Sequence, residues 1–183
     1  MLSRAVLLVM VSVVALAARA EPLPDPASLV WYSFEGIQVR VKAPPNWHSR
    51  SELKGTTKAF FVSPQSAKED GRYGQGVGLN LVTFDDDNPG DPLNYAKVLV
   101  LKHQEKFGES SCYWKQGKPL TLYWCQGDIE GQGKVATALY HYAVNTQTRK
   151  LYIFTLETLK EDWAESWPAI GHMVSTIEID PAY

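Results

Sequence analysis

The chain has 183 residues, 45% of them hydrophobic and 21% charged, with 18 basic and 20 acidic side chains. That mix is globular and long enough to bury one core, and it excludes a disordered or low-complexity tail. No cluster of Lys and Arg stands out, which argues against a nucleic-acid partner and against a polybasic membrane dock.

The first twenty residues read as a secretory signal peptide. Arg4 precedes an apolar run from Ala5 to Ala18, followed by the small-x-small site Ala18-Arg19-Ala20 and the polar start Glu21-Pro22. The run is about 14 residues, short of the ~20 needed to span a bilayer. No cysteine follows the cleavage site, so a lipid-anchored form is not expected. Cleavage takes Arg4 and Arg19 away and leaves residues 21–183 as a single domain. The mature chain then holds 16 basic against 20 acidic residues, a net charge of −4.

The Pro-rich stretch from Glu21 to Ser33 reads as an extended lead-in. Next, Ile37, Val39 and Val41 alternate with Gln38, Arg40 and Lys42, the pattern of a half-buried strand, stopped by Pro44-Pro45. Lys58–Pro64 and Val77–Phe84 read as two further strands, separated by a loop with Gly71, Gly74 and Gly76. The clearest helix follows. Asp91 is a good N-cap, Pro92 suits the first helical position, and Gly108 is a natural stop. Ala96, Leu99, Val100, His103 and Phe107 fall on one face between them. After the cysteine segment, two long strands flank Asn145–Lys150, apolar on both faces as in the middle of a covered sheet. Trp163, Trp167, Ile170 and Val174 then recur at helical spacing. Pro168 lies within that pattern and either kinks the helix or restarts it, with Ser166 as the new cap. Ile177 and Ile179 add a last short strand. The predicted order is β-β-β-α-β-β-β-α. It defines an α+β fold with an antiparallel sheet and segregated helices.

The two cysteines, Cys112 and Cys125, are the only thiols. A structural zinc site wants four ligands in closely spaced pairs. Here the four histidines, His48, His103, His141 and His172, are scattered, and the C-x-x-C spacing of a redox couple is absent. An exported chain favours a closed disulfide. If the hairpin loop centres between Lys118 and Pro119, Cys112 meets Cys125, Tyr113 faces Trp124 and Trp114 faces Tyr123. A turn centred one residue earlier spoils that register. Closing a loop of this size stabilises a fold by about 3 kcal/mol in the chain-entropy model.

Four constellations could carry function. Asp85, Asp86, Asp87 and Asp91 offer oxygen ligands of the kind calcium prefers, but without EF-hand spacing; they equally suit a strand-to-helix turn. Trp47 and His48 follow two prolines and read as an aromatic anchor beside a titratable group. His141 sits on a strand face opposite Tyr140 and Tyr142, and reads as a strand histidine with a satisfied hydrogen bond. Trp114, Tyr123 and Trp124 surround the hairpin and would make a recognition surface if exposed. No nucleophile–base pair, metal triad or phosphate loop is visible.

The strand and turn "GIQVRVKAPPNW", the Asp-Pro-capped helix, the paired strands "TALYHYAV" and "KLYIFTLE" and the closing "AIGHMVSTIEI" together resemble the PsbP-like superfamily. The resemblance spans nearly all of the mature chain as element order and loose pattern. It implies an α-β-α sandwich around a central antiparallel sheet. It implies a binding or assembly factor rather than an enzyme, with no shared catalytic residues to carry over. The expected function is a secreted or periplasmic non-catalytic module whose partner is another envelope or secreted protein. No cofactor is implied; the alternative is a divalent-metal- or small-ligand-binding protein, with weak calcium binding at the aspartates.

Overall fold

The structure, a computed structural model, describes residues 25–34, 36–54, 57–64, 75–131 and 134–183. The signal-peptide segment and the glycines Gly71 and Gly74 lie outside the described residues. No described helix is long and apolar enough to cross a membrane.

Among the described residues, ten strands and two α-helices make three layers. Strands β1 (Val30–Phe34), β2 (Val39–Ala43), β3 (His48–Lys54), β4 (Thr57–Ser63) and β5 (Gly76–Thr83) precede helix α1 (Pro92–Phe107). Strands β6 (Cys112–Lys115), β7 (Leu120–Gly131), β8 (Lys134–Asn145) and β9 (Lys150–Leu159) then lead to α2 (Trp163–Ser175) and β10 (Glu178–Ile179). The large sheet has the order β3-β4-β5-β9-β8-β7-β6, antiparallel at every join, and a small sheet has the order β1-β2-β10. The chain leaves the middle of the large sheet at β5, crosses one face as α1, and enters the far edge as β6. It then meanders back through β7 and β8 until β9 meets β5.

Alternation along the central strands explains the layers. On β9, Tyr152, Phe154 and Leu156 point to one face and join Leu79, Phe60, Ile170, Met173 and the inner residues of β2 in the main core. Leu151 on the opposite face joins Tyr142, Val144, Cys125 and Ala96 beneath α1. Strands buried on both faces are apolar on both faces, as the sequence of β8 and β9 indicates. The expected α+β sandwich with helices on both sides of an antiparallel sheet is the fold observed.

The strand count exceeds the expected order: five described strands precede α1 instead of three, and four instead of three lie between α1 and α2, because the cysteine segment contributes both β6 and β7. The lead-in contains β1, which hydrogen-bonds to β2 over Val30–Phe34. The polar segment after Trp47 forms β3, paired along its length with β4. The helix caps match expectation: the Asp91 carboxylate accepts the Asn94 N–H at 2.7 Å, and Gly108 terminates α1 with φ 98°. Ser166 differs from expectation. Helix α2 runs through Pro168 without restarting, and Ser166 is buried rather than capping.

Candidate interaction surface

The hairpin β6–β7 forms the last two strands at one edge of the large sheet. Its register is Cys112 to Cys125, Tyr113 to Trp124, Trp114 to Tyr123 and Lys115 to Leu122. This is the register obtained when the loop centres between Lys118 and Pro119. The two cysteines form the expected disulfide, with Cα atoms 4.1 Å apart. Gly117 is required in the connecting turn, because a Cβ there would lie 2.7 Å from the Leu120 carbonyl oxygen.

Cross-strand neighbours build two aromatic rows, one on each face. On the α2 face, Tyr113, Trp124, His141 and Phe154 follow one another across β6, β7, β8 and β9, with ring centroids 5.4, 5.2 and 5.8 Å apart. On the α1 face, Trp114 stacks on Tyr123 at 6.3 Å, and Tyr123 lies opposite Tyr142. Pairs of this kind contribute about 0.5–1.5 kcal/mol each beyond area burial. Both rows end at β6 with a solvent-facing ring: Tyr113 is 61% and Trp114 62% exposed.

The exposure of these rings differs from the sequence reading. Trp114 is exposed and Trp124 is half-buried. Tyr123 is only 5% exposed, because β8 flanks it and α1 covers its face; burial raises its hydroxyl pKa. Tyr113, outside the set expected from sequence, is exposed beside Trp114.

The other candidates are held elsewhere. Asp85 closes a turn, its carboxylate accepting the N–H groups of Asp87 and Asn88 at 3.1 and 3.0 Å. Asp91 caps α1. No group of three or more His, Cys, Asp or Glu side chains is placed to hold a metal among the described residues. Beside this turn a groove of about 490 Å³ brings Asp91 and Tyr95 together with Val82, Phe84 and Val98. Trp47 packs against the main core, and its carbonyl accepts the Tyr32 hydroxyl at 3.0 Å. His48 is exposed at the start of β3.

His141 departs from expectation. It is 6% exposed, and neither ring nitrogen has a hydrogen-bond partner in the structure. Burial pushes its pKa down to about 4, so the ring is neutral at pH 7. On the opposite face His103 of α1 lies 2.6 Å (Nε2) from the Tyr142 hydroxyl and stacks on Tyr140 at 4.1 Å. Burial, then the nearby Lys106 charge, lowers its pKa. Glu157 stands beside Tyr140 on that face, and burial pushes its carboxyl up to about 7.

These layers define an α-β-α sandwich around a central antiparallel sheet. Among solved structures, LpqN of Mycobacterium tuberculosis, described as involved in cell envelope biogenesis, matches with a TM-score of 0.50 at 14% identity, covering 84% of this chain and 90% of that one. The cyanobacterial PsbP of Synechocystis matches at 0.41 and 14% identity, over 84% of this chain and 94% of that one. A protein from Bacteroides thetaiotaomicron matches at 0.43 and 11% identity over 78% of this chain, which spans only 45% of that protein. The likeness is one of fold. No family model matches the chain, and no curated protein matches it in sequence.

Proposed function

We propose that the chain is a non-catalytic binding module acting outside the cytoplasm, secreted or periplasmic after cleavage near Ala20-Glu21. It docks on another envelope or secreted protein through the exposed end of the β6–β7 hairpin. One observation carries this reading: two adjacent aromatic side chains, Tyr113 and Trp114, stand more than 60% exposed on a strand clamped by a disulfide. Large amphipathic rings on a rigid support bury much area for little loss of conformational entropy, which is how interface anchors work. The disulfide itself favours an oxidising compartment. The envelope role described for LpqN is compatible with this setting.

The test is site-specific photo-crosslinking in the native host. A benzoylphenylalanine at position 113 or 114 should give a discrete protein adduct. The same group at Leu53, exposed on β3 at the far edge of the sheet, should not. Trp114→Ala should abolish co-purification of the adducted protein without lowering the melting temperature by more than a few degrees. Equal adducts from all three positions would sink the reading.

A further inference from the structure

We propose that the partner supplies an extended, acidic segment that adds to β6 as an eighth strand of the large sheet. This rests on the docking role of the hairpin proposed above and specifies what fills it.

The backbone provides the first argument. In an antiparallel pair, facing residues alternate between hydrogen-bonded pairs about 5.5 Å apart at Cα and non-hydrogen-bonded pairs about 4.5 Å apart. Cys112 and Cys125 are 4.1 Å apart, which makes them a non-hydrogen-bonded pair. Two residues on, Trp114 and Tyr123 are of the same type. Cys112 and Trp114 therefore direct their N–H and C=O groups away from β7, toward the open edge. Four backbone groups with a two-residue repeat are the template that an added strand requires.

The side chains provide the second. A strand beside β6 places one residue next to Tyr113 and one next to Trp114, extending both aromatic rows by one position. The opposite edge of the same sheet is built differently. There β3 carries His48, Arg50 and Glu52, with Arg50 and Glu52 ion-paired. Charged side chains of that kind guard an edge against pairing. The β6 edge shows two rings with a single charge, Lys115, at its end, and the disulfide holds it in strand geometry before a partner arrives.

Charge provides the third. No acidic residue occurs between Ser110 and Gly127, although the chain has 20 elsewhere; Lys115 and Lys118 stand exposed at the hairpin tip. An acidic flank on the incoming strand meets these lysines, whereas a basic one is repelled.

The probe is the peptide acetyl-Glu-Glu-Thr-Val-Tyr-Val-Thr-Glu-Glu-amide, titrated into the disulfide-bonded protein. Saturation should slow amide hydrogen exchange at Cys112 and Trp114 by roughly tenfold or more, as for newly paired edge amides. Trp114→Ala should weaken binding. Trp114→Pro, which also removes the outward N–H and is tolerated on an edge strand, should abolish it; circular dichroism and melting check that both variants fold. Equal losses from the two variants, with exchange at Cys112 and Trp114 unchanged, would overturn strand addition while leaving side-chain docking intact. Equal binding of a peptide with lysine in place of glutamate would overturn the acidic requirement. No binding at millimolar peptide would overturn the proposal outright, whatever the crosslinking shows.

Discussion

The ring of Phe107 lies directly over the backbone of Gly127, so that a Cβ at Gly127 would fall 2.2 Å from Phe107 Cγ. Phe107 ends α1, and Gly127 lies on β7 two residues beyond the disulfide. The missing side chain is what allows the last turn of the helix to settle on the sheet. Gly127→Ala should destabilise the protein by about 1–3 kcal/mol, the usual cost of overpacking. The same change in a Phe107→Ala background should cost much less, because the clash is gone. Urea denaturation of the two singles and the double measures the coupling. Additive costs would mean that Gly127 is needed for its backbone alone.

The disulfide closes a short loop, its cysteines 13 positions apart in the chain. Replacing both with serine should lower stability by about 3 kcal/mol on the chain-entropy model. The loss should centre on the hairpin, since β6 has only four residues and pairs with β7 alone. Hydrogen exchange should then speed up at Tyr113 and Lys115, which hydrogen-bond to β7, well before it changes on β8 and β9. Uniform acceleration across the sheet would show that the hairpin unfolds only with the whole domain.

Much of this arrangement is written locally in the chain. The cap at Asp91, the proline after it, the spacing from Ala96 to Phe107 and the stop at Gly108 each act within a turn or two, so α1 is legible. The hairpin register is legible too, because breakers separate two matched aromatic and cysteine sets. Strands β1 and β3 were missed for a physical reason. β1 follows a proline cluster that reads as an extended lead-in, and β3 is polar from His48 to Glu52, so its backbone pairing with β4 leaves no apolar signature. The exchange of Tyr113 for Tyr123 has a similar origin. Both are followed by tryptophan, and nothing local says which strand lies at the edge and which is covered by α1 and β8. His141 was read as hydrogen-bonded because buried polar groups usually are; only the three-dimensional neighbours reveal that its row is aromatic.

Glu157 makes the protein lose stability as pH rises from 4.5 toward 7. Burial raises its pKa from 4.5 to about 7 in the fold. A carboxyl raised in this way favours the folded state in its neutral form. Its contribution is complete below the unfolded value of 4.5 and is lost as pH rises through 7. A shift of this size is of the order of 3 kcal/mol. Glu157→Gln mimics the neutral form, so it should match the parent near pH 4 and exceed its stability at pH 8. Melting temperatures across that range test this. Parallel curves would mean that Glu157 is ionised at neutral pH and solvated.

His141 has the opposite slope over part of the same range. Its pKa falls from 6.5 to about 4 on folding because the ring is buried between Trp124 and Phe154. The neutral ring is favoured by the fold, so its contribution is present above 6.5 and is lost as pH falls through 4, again of the order of 3 kcal/mol. Each unpartnered ring nitrogen also carries a desolvation cost of about 1–3 kcal/mol at any pH. His141→Leu should therefore raise stability at pH 7.5, and raise it further at pH 4.5. Glu157 and His141 face opposite sides of the sheet, so their effects should add. Between pH 4.5 and 6.5 these two contributions run in opposite directions and nearly cancel, while the lowered His103 adds a further loss in acid. Relative to the parent, Glu157→Gln should gain stability as pH rises from 4.5 to 7.5, and His141→Leu should gain as pH falls over the same range. Urea titrations of the parent and both variants at pH 4.5, 5.5, 6.5 and 7.5 read this directly. A His141→Leu profile parallel to the parent's would show that the imidazole takes up its proton as readily in the fold as in the unfolded chain.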